Sequence, residues 1–189
     1  WSLVIRLNKY LAKSGVASRR KSDELIQMAT TEVNGKICLD PAYQVNENDI
    51  VEYDGQKISP ANKTIVIMLN KPKKVITTVK DTHNRRTVMD FIPEKFRLTP
   101  IGRLDQNTTG LLLFTNDGDL HQFLTHPKNK IPKDYEAIIE GRITFSQKQK
   151  IKKGVYIGFK EYGQAEVLEQ STQKTRSKVI LRLRQGKKR

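Results

Sequence analysis

The chain begins with apolar residues at helical spacing and continues with short alternating strands. Leu7, Tyr10 and Leu11 predict a first helix that ends at Gly15, and Ser18 is placed to cap a second helix. Strands separated by turn signals follow. They are predicted at 32–33, 36–39 and 50–53, with turns at Asn34-Gly35, Asp40-Pro41 and Asp54-Gly55. This order predicts a small helix-helix-strand module.

A second, strand-rich part follows the Ser59-Pro60-Ala61-Asn62 segment, which is typical of a linker because Pro and Asn disfavour regular structure. We therefore place one domain at 1–58 and a second at 63–189. The fold class is α+β, with mostly antiparallel pairing in a mixed sheet because most connections are short. The predicted strands lie at 64–69, 75–79, 111–115, 135–139, 155–157, 161–168 and 178–184, and the predicted helical segments at 87–92, 119–125 and 144–152.

The net charge of the chain indicates what kind of partner it binds. The 189 residues include 35 Lys and Arg against 20 Asp and Glu, a formal net charge of +15. Residues 1–60 are neutral overall, whereas the rest carries 27 basic and 12 acidic residues. A polyanion fits this excess, and nucleic acid is favoured over a membrane surface because no run of about 18 apolar residues is present. We expect a cytoplasmic protein, since no signal-peptide core is found and the single Cys38 cannot form an internal disulfide.

Several classes of chemistry lack their motifs. The sequence has no P-loop, no HExxH and no cluster of Cys and His. His83, His121 and His126 each stand without a second ligand at metal spacing, so no metal is expected, and Cys38 is interpreted as a structural strand residue. These features argue against metal-dependent deamination and against base methylation at a pyrimidine ring, which commonly uses a nucleophilic cysteine.

Asp105 is the candidate for chemistry that a carboxylate performs without a cofactor. It precedes the apolar run Leu111–Phe114, so it is predicted in a loop at a strand edge, where functional side chains concentrate. In an extended segment Arg103 and Asp105 project to one side while Leu104 turns inward. Spacing alone favours the alternative that Asp105 only forms a turn with Asn107 and Thr108.

Two resemblances alter that balance. RLNKYLAKSGVASRRKSDELI with the later VNGK and NDIV, over residues 5 to about 55, resembles an S4-like RNA-binding domain. IGRLDQNTTGLLLFTNDGDL resembles the signature of ribosomal RNA pseudouridine synthases of the RsuA/RluB type. Further matches occur in the family's order: LNKPKKVITT with RRTV, HPKNKIPKDYEA and LRLRQGKKR. Together they span nearly the whole chain.

The second resemblance implies an isomerase that converts a uridine of ribosomal RNA to pseudouridine without a cofactor. It places Asp105 on the catalytic aspartate and Tyr135 on the tyrosine that stacks on the flipped base. Arg103 and Lys133 would bind the substrate. The N-terminal module would bind RNA through Arg6, Lys9, Arg19, Arg20 and Lys21.

Two departures from the family pattern follow. Lys74 stands where the family usually has Gly, so we expect a different turn there. Gly186 and Arg189 match the start of an element that supplies an arginine opposite the aspartate, and we expect the chain to be a C-terminally truncated fragment.

Ribosomal RNA, free or in a precursor of a ribosomal subunit, is the expected partner of a monomeric protein. The form QNTTGLLLFT favours the large-subunit branch. The alternative is a non-catalytic RNA-binding or ribosome-assembly factor that retains the fold. A general nucleic-acid binder would instead show equal affinity for unrelated RNA.

Overall fold

A computed structural model describes residues 4–61, 63–93, 96–158 and 160–184. The chain divides into two units, Trp1–His121 and Gln122–Arg189, and each is described by itself. The described helices are α1 (Leu7–Lys13), α2 (Arg19–Gln27), α3 (Gly118–Thr125) and α4 (Phe145–Lys153). The described strands are β1 (Ile5–Arg6), β2 (Thr31–Val33), β3 (Lys36–Ile37), β4 (Gln44–Val45), β5 (Val51–Tyr53), β6 (Gln56–Ile58), β7 (Val66–Lys71), β8 (Thr99–Ile101), β9 (Gly110–Thr115), β10 (Lys133–Glu140), β11 (Val155–Gly158), β12 (Glu161–Gly163), β13 (Glu166–Gln173) and β14 (Arg176–Leu183).

The first unit starts with the predicted helix-helix-strand module. Helix α1 ends as expected, because Gly15 takes a φ of 81° and provides a left-handed C-terminal residue. The Ser18 hydroxyl accepts the Lys21 amide at the start of α2. Strands β3-β2-β5-β6 form an antiparallel sheet. One core joins helices and strands, and its buried residues are Leu7, Leu11, Ile26, Val33, Val45 and Val51.

A three-stranded antiparallel sheet, β7-β9-β8, forms the other part of the first unit. Its core contains Val75, Val88, Ile92, Leu98, Leu112 and Phe114. The 111–115 run was predicted as a buried strand, but Leu111 is 65% exposed and Met68 on the neighbouring β7 is 73% exposed. Alternation along the strands buries one face of this sheet and leaves Leu111 and Met68 on the other.

The segment 75–79 is the clearest error among the predicted elements. Instead of a strand, the structure has an isolated parallel bridge between Ile76 and Thr87. Val75 of this segment is buried in the core, whereas Val79 is 56% exposed. The short helical turn after Thr87 is present as predicted, with a capping box between Thr87 and Asp90.

Within residues 59–61 of the predicted linker 59–62, a hydrogen bond joins the chain to the first module. The Ala61 amide donates to the Lys13 carbonyl at 3.0 Å. Asn62 lies outside the described residues. The assignment of domains to 1–58 and 63–189 stays a prediction.

The second unit is an antiparallel sheet in the order β10-β14-β13, with a β11-β12 hairpin and helix α4. Thr144 caps α4 through the Gln147 amide, as its position predicted. The predicted 161–168 strand is two strands, β12 and the start of β13. The fold is α+β with mostly antiparallel sheets, which confirms the predicted class. Among the described residues, no helix is both long and apolar enough to cross a bilayer.

Candidate active site

Asp105 lies in the loop between β8 and β9, in a cleft of about 370 Å³. The side chains of Thr77, Asp81, Arg85 and Arg103 also line this cleft. Arg103 and Asp105 are exposed while the intervening Leu104 packs against the core, as the alternation predicted.

The turn at Asp105 uses its main chain. The Thr108 amide donates to the Asp105 carbonyl at 3.0 Å. Within the described residues of its own unit, the Asp105 carboxylate has no hydrogen bond or ion pair, and its charge acts on Lys71. The alternative that the carboxylate serves only to close a turn therefore has no hydrogen bond to support it, and the carboxylate is available to a substrate.

Lys71 is a fully buried lysine at the end of β7. Its ammonium donates to the carbonyls of Pro72 at 3.0 Å, Val75 at 2.7 Å and Gln106 at 3.2 Å. Burial lowers the pKa of Lys71, while the negative charge of Asp105 opposes that shift. Lys71 thus ties the loop that carries Asp105 to the strand end.

Sequence reasoning assigned no role to Lys71. A lysine that ends an apolar strand just before Pro72 was the available signal. A charged residue almost never becomes fully buried unless it is paired or hydrogen-bonded, so the structure was needed to show its three acceptors.

A second contact fixes the backbone beside Asp105. The Thr77 hydroxyl donates to the Leu104 carbonyl at 2.7 Å and accepts the Leu104 amide at 3.2 Å. Both backbone groups of Leu104 are therefore satisfied by one side chain from the segment that was wrongly predicted as a strand.

Lys74 lies in the turn that follows Pro72, with a φ of 63°. This left-handed conformation is the one that glycine takes without steric cost. The backbone therefore accommodates lysine at a position suited to glycine, and a different turn is not needed to explain the substitution.

Asp81 and Arg85 form an ion pair at the cleft that the sequence analysis did not identify. Arg85 Nη2 donates to Asp81 Oδ1 at 2.6 Å and Nε to the same oxygen at 3.2 Å. The guanidinium of Arg85 holds the pKa of Asp81 well below its usual range. The available signal was an aspartate four residues before an arginine in a polar loop.

Tyr135 and Lys133 lie on β10 in the second unit. Tyr135 pairs with Leu181 of β14. Asp134, between Lys133 and Tyr135 in the chain, forms a bidentate ion pair with Arg182 at 2.7 and 2.8 Å. This arginine lowers the pKa of Asp134. Joint action of Tyr135 and Asp105 stays a prediction, as does substrate binding by Lys133. Gly186 and Arg189 lie outside the described residues.

The basic residues predicted to bind RNA are distributed over β1, α1 and the start of α2. Lys9 and Lys13 both contact Asp119, at 2.7 and 3.3 Å. Lys21 pairs with Glu24 at 2.6 Å. Arg6, Arg19 and Arg20 are exposed. Their role in RNA binding stays a prediction.

Comparisons with known proteins agree with this architecture. Residues 65–189 match the RNA pseudouridylate synthase family and residues 5–51 match the S4 domain. These two matches place the chain in the class of S4-containing members of the pseudouridine synthase family. The chain belongs to the RNA pseudouridylate synthase family, as its motifs predicted.

Individual relatives extend the comparison. "Ribosomal large subunit pseudouridine synthase B" of Bacillus subtilis (strain 168) is 37% identical over 97% of this chain and 76% of its own length. "Dual-specificity RNA pseudouridine synthase RluF" of Escherichia coli (strain K12) is 37% identical over 74% of the chain and 48% of its own length. The chain thus spans about half to three quarters of the length of these two curated relatives.

A solved structure supports the fold alone. The "Crystal structure of pseudouridylate synthase" superposes with a TM-score of 0.60 at 23% identity, covering 97% of this chain and 79% of that one.

Proposed function

We propose that the protein isomerises a specific uridine of ribosomal RNA to pseudouridine, with Asp105 as the catalytic residue and without a cofactor. Family membership carries the reaction type. The observation that supports the residue is the exposed carboxylate of Asp105, which lies in a cleft on a loop held by Lys71 and Thr77. Large-subunit RNA is the proposed substrate because the Bacillus subtilis relative carries that name.

The reaction breaks the bond between N1 of uracil and C1′ of ribose and forms a bond from C5 to C1′. The proton on C5 is lost and N1 gains one, so no atom is added or removed. A carboxylate can attack a carbon as a nucleophile or take a proton as a base, and Asp105 is exposed in the cleft for either role.

The target uridine must leave its stack to reach a cleft of this kind, which costs a few kcal/mol and favours loop targets. Arg103 lines the cleft beside Asp105 and is proposed to hold the displaced nucleotide or its phosphate. Tyr135 would stack on the extruded base, and the N-terminal module with Lys133 would supply RNA-binding energy. The free energy of these contacts would offset the stacking free energy that the uridine loses.

The test uses the full-length protein on unmodified transcripts of large- and small-subunit ribosomal RNA, followed by chemical mapping of pseudouridine. Wild type is expected to modify one site in the large-subunit transcript, and Asp105→Ala is expected to modify none. Asp54→Asn is the matched control, because Asp54 is exposed in a turn of the N-terminal module at a φ of 51° that Asn also tolerates.

If wild type binds ribosomal RNA but forms no pseudouridine, the protein is a binding or assembly factor and the enzymatic proposal fails. If Asp105→Ala modifies RNA as well as wild type does, the assignment of the residue fails.

A further inference from the structure

The carboxylate of Asp81 organises the loop from Asp81 to Arg85 on one wall of the cleft. Its Oδ2 accepts the amides of His83 at 3.1 Å and Arg85 at 2.8 Å. Its Oδ1 accepts hydrogen bonds from Nη2 and Nε of Arg85. The Asp81 side chain is only 6% exposed, so these contacts stand in place of water. Asp81 is therefore committed to holding the loop and the guanidinium.

Arg85 keeps donors for another ligand. A guanidinium has five N–H groups, and the contacts with Asp81 use Nε and one N–H of Nη2. The other three have no partner among the described residues of this unit, and the side chain is 53% exposed where it lines the cleft. A planar fork that is fixed on one edge and open on the other suits bidentate recognition of a phosphate.

The surroundings of Arg85 favour an anion. Lys80 and Arg103 line the same cleft, and neither has an ion pair among the described residues of this unit. The negative groups of the lining are Asp105 and Asp81, and Asp81 is already paired. An RNA strand that places a nucleotide at Asp105 brings a phosphodiester on each side of that nucleotide along the cleft wall.

We propose that Arg85 binds a backbone phosphate of the RNA next to the target uridine, and that Asp81 is a positioning residue that fixes the guanidinium for this contact. The proposal rests on the proposed function, because that function brings RNA into the cleft. It adds a second anion contact, separate from the contact proposed for Arg103, which would hold the displaced nucleotide or its phosphate.

A purely structural role for the pair would predict a different outcome. If Arg85 only pinned the loop, its removal would change stability and leave the charge-dependent part of RNA binding untouched. A bound phosphate instead contributes to the salt dependence of binding. For a single strand, the magnitude of the slope of log K against log salt falls by about 0.7 for each phosphate that the protein no longer neutralises.

The experiment measures the affinity of the full-length protein for a ribosomal RNA fragment over a range of salt, in an Asp105→Asn background so that no turnover occurs. Arg85→Gln is expected to weaken binding about tenfold and to reduce the slope by about 0.7. Asp81→Asn is expected to weaken binding less, with the slope kept, because the cation remains but is no longer fixed. Lys73→Gln is the control for loss of an exposed charge, since Lys73 does not line the cleft.

A second measurement locates the bound phosphate. Single phosphates flanking the target are replaced by uncharged methylphosphonates, and the affinity loss is compared between Arg85 and Arg85→Gln proteins. One replacement is expected to weaken binding to the Arg85 protein while Arg85→Gln does not respond. Equal losses at every position, or an unchanged salt slope in Arg85→Gln, would overturn the proposal.

The two proposals fail separately. Coupling between Arg85 and one phosphate, without pseudouridine from the wild type, would support the phosphate contact and contradict the isomerase. Pseudouridine formation without any such coupling would contradict the phosphate contact alone.

Discussion

The hydroxyl of Thr77 forms two hydrogen bonds with Leu104, donating to its carbonyl at 2.7 Å and accepting its amide at 3.2 Å. Leu104 lies between Arg103 and Asp105, so one side chain fixes the backbone that aims both groups into the cleft. The loop that carries Asp105 is thus held by Thr77 of the segment 75–79 as well as by its own hydrogen bond from the Thr108 amide to the Asp105 carbonyl.

Thr77→Val should lower kcat by about 10- to 100-fold, because small misplacements of a catalytic group have effects of that size. It should also destabilise the protein by about 1–3 kcal/mol, since two polar backbone groups lose their partner. Single-turnover rates and urea unfolding measure the two effects. Thr77→Ser keeps the hydroxyl and should retain the wild-type rate within about threefold. Equal losses in both variants would contradict a role for the hydroxyl.

Lys71→Met should lower stability by about 1–3 kcal/mol and reduce kcat, because the carbonyls of Val75 and Gln106 lose their donor and the Val75 contact is buried. The neighbouring exposed Lys73→Met serves as the control and should change neither quantity. Thermal unfolding with turnover assays on both variants provides the test. A Lys71→Met protein with the wild-type midpoint and rate would show that this lysine does not anchor the Asp105 loop.

Lys74→Gly should raise stability by about 0.5–1 kcal/mol. The left-handed backbone costs a non-glycine residue about 1–2 kcal/mol, and the extra freedom of an unfolded glycine offsets about half of that. Lys73 is not among the residues with positive φ, so Lys73→Gly should lower the free energy of unfolding by about 0.5–1 kcal/mol instead. Urea unfolding midpoints compare the variants. A destabilised Lys74→Gly protein would show that the lysine side chain has a role of its own.

Asp119 should make stability depend on pH. Its hydrogen bond to Lys9 lowers its pKa below the ordinary value of 3.8, so the ion pairs stabilise the fold above that value and are lost as pH falls through the native pKa. Asp119→Asn should be about 0.2–1 kcal/mol less stable than wild type at neutral pH, and the difference should shrink in acid. Unfolding free energies of wild type and Asp119→Asn at neutral pH and at a pH below 3.8 test this. Lys9→Met removes the other partner of the ion pair and should show the same pH dependence. A difference that does not change with pH would contradict the assignment.

The features that could be predicted from the sequence are those that residues close together in the chain determine, such as helix ends and turns. Gly15, Ser18 and Thr144 end or cap helices through contacts within a few residues, and each was predicted correctly. The Asn34-Gly35 turn joins β2 and β3, with both residues at positive φ. The family and fold class also followed from motifs whose order along the chain is specific.

What the sequence could not supply depends on contacts between distant segments. Lys71 reaches the Gln106 carbonyl across 35 positions, and Thr77 reaches Leu104 across 27. Segment 75–79 has the composition of a strand, yet it supplies one core residue, Val75, and a loop anchor, Thr77, instead. Periodicity reports which residues are apolar, and it does not report which distant partner they meet.

The most direct measurement of the central claim is the single-turnover rate of pseudouridine formation by the full-length Asp105→Asn protein on the mapped ribosomal RNA site. The carboxamide is nearly the same size as the carboxylate but cannot act as a base or nucleophile in the same way. We predict a rate at least about 1000-fold below wild type, with RNA affinity within about threefold. An Asp105→Asn protein that forms pseudouridine at the wild-type rate would contradict the account.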